Sequence, residues 1–374
     1  MLSTHAQKLE RWLGAGEVEH LSNTMRGWYG PPILVGNTPD GSKIYATGDG
    51  DFVGLIRGGG YASLLDHCET RIKKILTKWS NKQASQLNAG FTSLSDLIAE
   101  ATVGGKRNEY QFSKSGTTGV TSASNSLWRV GNQPAAGAAA AAAPGGTAPT
   151  RTTTGAVITL ANPTTGGDTR HLVQGTAMST AAPNCLLMYD RIFAVAKTMN
   201  STATEAVTGV PSRYQSTTAN VADSAAGNFL FMECGTVLPA TAHNWTTCTY
   251  TDQSGNTGAT LPSVTGNSPN IVNRLDMPIG AWWAPLASGD SGIKALTQMQ
   301  CSAAVATGAI DFVIGHPLIL MPTYIANAVS MIDGINTAFN LTRIFDDACI
   351  AFLEINKPTT TATTYAGTFT TVDG

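Results

Sequence analysis

Charge is scarce in this chain. Only 13% of its 374 residues are Asp, Glu, Lys or Arg, roughly half the share usual in soluble domains. The few charges are also unevenly placed. Residues 1–115 hold 13 Lys/Arg and 11 Asp/Glu, and the remaining 259 residues hold the other 24. With a formal net charge of −2 and no concentrated basic stretch, the chain lacks the electrostatic footprint of a nucleic-acid binder.

Metal-type cysteine spacing is missing too. The six cysteines stand at 68, 185, 234, 248, 301 and 349 without a C-x-x-C pair, and no two of them lie at metal-ligand spacing with a histidine close by, which excludes the common zinc patterns. Several lie in apolar runs and are expected as reduced core residues. Pairing of Cys234 with Cys248 across adjacent strands stays open. Long hydrophobic runs are absent: the most apolar window, 312–321, is ten residues interrupted by Gly315 and Pro317, too short to cross a bilayer. The first twenty residues do not follow the signal-peptide pattern. Synthesis in the cytoplasm and no membrane partner are therefore expected.

Thr, Ser, Ala, Gly and Asn fill the space that charge leaves. The opening tract (1–60) reads as an arm with short strands between glycine turns. From Tyr61, apolar residues recur every three to four positions (Leu64/Leu65, Cys68, Ile72, Ile75/Leu76, Trp79), which predicts a long amphipathic helix. Ser93-x-x-Asp96 then predicts a second helix, with Phe91, Leu94, Leu97, Ile98 and Ala101 on one face, inside a helical segment spanning 61–130. The Ala/Gly/Pro-rich stretch 131–150 reads as a connector. From 151 to 357, short apolar runs separated by Gly, Asn, Pro and Thr clusters predict strands, with a hairpin at 251–257 and one or two helices within 323–348. The Thr-rich tail, 358–374, reads as an extended arm. The expected fold class is thus α+β, mainly β: a helical N-terminal part followed by a β-sandwich or jelly-roll-like region.

One short stretch invites an enzymatic reading. Ser288-Gly289-Asp290-Ser291-Gly292 looks like the nucleophile turn of chymotrypsin-like proteases, with His243 upstream as a base and Asp252 or Asp276 as its orienting acid. However, Ile293 stands where that pattern has glycine, and His243 precedes Ser291 by only 48 residues. A turn explains the same residues. The stretch around Asp49 and Asp51 lacks the twelfth-position Glu of a calcium loop, and the Gly58–Gly60 run lacks the Lys-Ser/Thr of a phosphate loop. His316 reads as a strand-end or core histidine. The tryptophans at 28, 128, 245, 282 and 283 sit beside Gly and Pro, where either sugar stacking or burial would use them, and burial is preferred. No catalytic residue, cofactor, metal or small-molecule substrate is assigned.

Five tracts carry a family likeness: SLWRVGNQPAAGAA (126–139), TGAVITLANPTTGG (154–167), CLLMYDRIF (185–193), TCTYTDQSGNTGAT (247–260) and DFVIGHPLILMP (311–322). In texture and order they resemble virion structural proteins of tailed bacteriophages, over roughly 125–322. The resemblance implies a non-enzymatic head component located in the virion, whose partners are other copies of itself and other virion proteins. A head decoration or cement protein is the leading expectation. The charged helical front part, if long, would fit the major capsid subunit instead, with a tail or adaptor component third. The alternatives of another class are a virion-associated hydrolase through Ser291 and a glycan-binding protein through the tryptophans.

Overall fold

The computed structural model describes the backbone of strands at 33–37, 43–46 and 53–55, and residues 91, 93–102, 105–157, 160–163, 168–219, 221–335 and 341–374. The chain divides into two units, Met1–Lys82 and Gln83–Gly374. In the first, β1 (Ile33–Asn37), β2 (Lys43–Ala46) and β3 (Val53–Leu55) form an antiparallel three-stranded sheet in chain order. The helix expected from Tyr61 and the loops around Asp49 and Gly58 lie outside the described residues.

The second unit is nearly all β, which corrects the expected α+β class with a helical front part. Among the described residues the one helix is α1 (Leu94–Thr102). Its start follows the predicted signal, since the Ser93 hydroxyl accepts a hydrogen bond from the Asp96 amide at 3.1 Å. Leu97 is buried with Phe91, Leu341 and Val372, whereas Leu94 and Ile98 of the same apolar set are exposed. Residues 107–115, expected within the helical segment, form β4 (Arg107–Ser115) instead. There Tyr110, Phe112 and Lys114 face inward, and Gln111 and Ser113 face out. An alternation of period two overrides helical propensity once one face has a core to cover.

The centre is a five-stranded antiparallel sheet in the order β10 (Phe229–Thr236), β16 (Ala309–Thr323), β8 (Asn184–Thr198), β19 (Ile350–Ile355), β5 (Asn125–Ser126). Its strands read as continuous apolar runs, such as Leu186-Leu187-Met188-Tyr189, because both faces are covered. Leu187 and Tyr189 point into a core shared with β12 (Thr249–Asp252) and β15 (Ile293–Met299) through Tyr250, Ile293, Leu296 and Met299. Leu186 and Met188 point the other way, onto Phe112, Leu172, Tyr365 and Phe369. Three sheets therefore stack as layers. Gly315 permits a close approach within the inner layer, where an added Cβ would lie 2.6 Å from the Tyr189 ring.

On the flank lies a six-stranded sheet in the order β17 (Ser330–Asp333), β7 (Arg170–Ser179), β20 (Thr364–Asp373), β4, β6 (Asn132–Gln133), with β18 (Thr342–Ile344) also pairing β7. The Thr-rich tail expected to be an extended arm contributes β20, hydrogen-bonded on both sides. Its Tyr365 and Phe369 supply core, and threonine's β-branched side chain suits the rest. No helix forms among the described residues of 323–348. Residues 154–157, expected to begin a strand, run as turns.

The alanine-rich connector packs along β8 in place of an open link. Ala141 and Ala143 exchange backbone hydrogen bonds with Ala196, and Thr147 does the same with Ala194. Trp128 fixes its approach by donating Nε1–H to the Ala138 carbonyl at 2.8 Å. Buried Lys114 donates to the Val130 and Pro134 carbonyls at 2.7 and 2.8 Å. All five described cysteines are free thiols, so Cys234 and Cys248 are not paired.

Candidate interaction surface

The residues of the would-be catalytic set are placed apart by role. Gly289 takes a left-handed φ of +96° in the turn, and Asp290 accepts a hydrogen bond from the Tyr250 hydroxyl. Ser291 is exposed, and its amide donates to Gln253 Oε1 at 3.0 Å. Asp252 closes the predicted hairpin between β12 and β13 (Thr257–Thr260), its Oδ1 accepting from the Ser254 and Asn256 amides at 2.8 and 2.9 Å. His243 and Asp276 do meet, fully buried, at 2.9 Å. The other ring nitrogen, Nδ1, faces the Thr241 carbonyl at 3.1 Å. A general base needs one nitrogen on its acid and the other on the nucleophile. Here both are taken by acceptors.

Asp276 is in turn saturated. Oδ2 also accepts from Trp245 Nε1 at 2.8 Å, and Oδ1 accepts from the Asn267 amide and Asn270 Nδ2 at 2.8 and 2.9 Å. The cluster ties β11 (Asn244–Trp245) to the loop after β14 (Val264–Thr265). It is a buried structural knot with no open face.

The tryptophans divide similarly. Trp128 and Trp245 are core residues. Trp282 packs edge-on against Phe229, and exposed Trp283 stands at 74° to it, so the pair presents no common flat platform to a sugar ring. His316 lies on β16, stacked on Tyr214 with ring centres 3.9 Å apart. Burial lowers its pKa to about 4, leaving a neutral ring at ordinary pH. Trp28 lies outside the described residues.

What the fold leaves available is a surface. Of the 24 charged residues after position 115, 13 are buried. Many of them pair internally: Arg213 with Asp190, Arg191 with Glu233 and Arg170 with Asp373, each with a nitrogen–oxygen distance of 2.7 Å. Even the scarce charge is therefore withdrawn from the exterior. Buried pairs of this kind contribute little net stability but fix one arrangement of the strands.

The outer face of the flanking sheet shows the consequence. Cross-strand register aligns Met331, Thr176, Thr368 and Gln111 in one row, and Met178, Ala366, Ser113 and Gln133 in the next. Thr176 and Thr368 join their hydroxyls at 2.9 Å. A shallow concavity of about 390 Å³ lies over these rows, and none of its lining residues is charged. At its rim the β16–β17 turn and edge strand β17 expose Tyr324 (74%), Ile325 (68%), Val329 (67%) and Met331 (61%). Exposed apolar clusters of this kind mark interaction sites on soluble proteins. Sequence reasoning missed this surface because it took 323–348 as helical. The available signal was the apolar TYIANAVSMI run directly after the Pro322 break.

No protein family matches the chain, and no curated protein matches it in sequence. Two solved structures overlap it weakly. One is the structure of infectious bursal disease virus Gt strain, at 9% identity over 72% of this chain and 81% of that one, with a TM-score of 0.15. The other is the crystal structure of the infectious bursal disease virus VP2 subviral particle, at 10% identity over 74% and 85%, with a TM-score of 0.14. Scores this low transfer neither fold to this chain.

Proposed function

We propose that the protein is a non-enzymatic structural component of a virus particle, specifically an auxiliary head protein of a tailed phage that is covered by neighbouring subunits. The observation that carries the reading is the uncharged concavity on the outer face of the flanking sheet, with its rim of exposed Tyr324, Ile325, Val329 and Met331. A free monomer benefits from charge on such a face for solubility, whereas a subunit in a shell gains from having none to desolvate. The resemblance of five sequence tracts to tailed-phage virion proteins points the same way.

The major-capsid alternative rested on a long helix beginning at Tyr61, which lies outside the described residues. The layered β unit suits a protein that packs onto a surface. The hydrolase reading loses its base, because His243 has no nitrogen to offer Ser291. Quantitative gel densitometry of purified particles tests the proposal. A stoichiometric band less abundant than the shell subunit is expected. Absence from particles would overturn the structural reading, and being the most abundant band would assign it to the shell itself.

A further inference from the structure

Three polar side chains converge in the interior at the far edge of the central sheet. Glu354 on β19 is paired in register with Asn125 on β5. Lys357 follows two residues beyond β19, anchored by its amide to the Ala123 carbonyl at 2.9 Å. All three side chains are fully buried. The Glu354 carboxylate bridges the other two: Oε1 lies 3.4 Å from Lys357 Nζ, and Oε2 accepts from Asn125 Nδ2 at 3.0 Å. Tyr365 donates its hydroxyl to Oε1 at 2.8 Å and is held in turn by Asn184 Nδ2 at 2.6 Å.

Two features do not suit a finished hydrogen-bond network. Asn125 Oδ1 is buried with no hydrogen-bond partner, a costly arrangement for an amide carbonyl. The Lys357–Glu354 contact is long for a buried ion pair, so it recovers little of the desolvation cost of two charges. Lysine and asparagine also approach the same point. A Cβ built on Gly119 would lie 3.7 Å from both Asn125 Oδ1 and Lys357 Cδ. An amine, a primary amide and a carboxyl in one dry site are the reactants and the proton carrier of a transamidation.

We infer that the chain closes an intramolecular amide between Lys357 Nζ and Asn125 Cγ, with Glu354 as proton shuttle. Glu354 first takes a proton from the Lys357 ammonium, which frees the Nζ lone pair. After a half-turn of the amide, protonated Glu354 faces Oδ1. The Nζ lone pair attacks Cγ, and the oxygen takes the proton from Glu354. Glu354 then accepts a proton from Nζ and passes it to Nδ2. The carbonyl re-forms as its hydroxyl proton returns to Glu354, the Cγ–Nδ2 bond breaks, and ammonia leaves. No oxidant or other co-reactant is consumed. Tyr365 is the positioning residue that holds Glu354 between the two. The product clamps two-residue edge strand β5 to the segment that leaves its neighbour β19, in a protein whose described cysteines are all free.

Intact-mass spectrometry of the purified, denatured full chain tests this. The wild type is expected to be lighter than its sequence by one ammonia, and a tryptic digest to contain peptides 115–129 and 344–374 joined as one branched species. Asn125→Ala, Lys357→Arg and Glu354→Gln should each run at their own sequence mass, with circular dichroism reporting whether Glu354→Gln keeps the β fold. Because the wild type alone decides the bond, a variant that fails to fold does not protect the inference. A folded wild type that stays at its sequence mass after prolonged incubation overturns it, as does ammonia loss that maps elsewhere. Full bond formation in Glu354→Gln would overturn the role of Glu354.

Discussion

His243 and Asp276 form a fully buried pair at 2.9 Å in which the second ring nitrogen faces the Thr241 carbonyl, so the imidazole meets an acceptor on each side. Burial opposes a charge on that ring, but the hydrogen bond and charge of Asp276 and the Thr241 carbonyl outweigh it, and the pKa is raised above 6.5. The folded state therefore holds the proton more tightly than the unfolded chain does. The stability this contributes is complete below pH 6.5 and is lost as pH rises through the folded-state pKa. Urea midpoints measured from about pH 5.5 to 8.5 should fall with pH in the wild type and fall less in His243→Gln. The substitution should also cost about 2–4 kcal/mol at the acid end, because Asp276 loses one of its four donors. Equal slopes in the two proteins would contradict the assignment. Gly266 protects the same geometry, since a Cβ there would lie 2.2 Å from His243 Nε2.

His316 carries the opposite sign. Burial against Tyr214 lowers its pKa to about 4, so the neutral ring is the folded form. Its contribution is present above the ordinary histidine pKa of 6.5 and drains away as pH falls towards 4. Partial solvent access reduces the effect to the order of 2 kcal/mol. His316→Asn should flatten the acid limb of a stability–pH curve. An unchanged acid limb would show that the ring is protonated in the fold.

Much of the β layering was legible from the sequence, for reasons the residues make plain. CLLMYDRIFAVA and IDFVIGHPLIL are continuous apolar runs because the central sheet is covered on both faces, and both became fifteen-residue strands. The 251–257 hairpin was legible because Asp252 and Gly255 are turn formers acting locally. Strand β4 was hidden because its third inward residue is Lys114, whose ammonium is satisfied by carbonyls about twenty positions away. The tail was taken as an arm because its β-propensity is visible locally, whereas its partners β4 and β7 are remote in sequence. At the site, the pairing of His243 with Asp276 was available as a candidate, but the Thr241 carbonyl that closes the ring's other side was not.

Ser291 serves as a discriminating control. Its side chain is exposed, and the turn is held by backbone contacts to Gln253. Ser291→Ala should change stability by no more than about 0.5 kcal/mol and leave particle incorporation unchanged. Loss of a hydrolytic activity in that variant, with the fold intact, would restore the enzymatic reading.

The exposed rim makes the complementary prediction. Met331→Asp or Val329→Lys adds charge where the wild type is 61% and 67% exposed, so thermal stability should move by less than about 0.5 kcal/mol. Incorporation into particles should fall by at least about tenfold, the effect of one disrupted interface anchor. A variant that is fully incorporated would remove this face from the interface.

The most direct test is hydroxyl-radical footprinting of Tyr324 and Met331, in the isolated chain and in purified particles. If neighbouring subunits cover this surface, both side chains are modified in the isolated chain and protected in the particle, while exposed Trp283 provides an internal comparison. Equal modification of Tyr324 and Met331 in the two states would contradict the account.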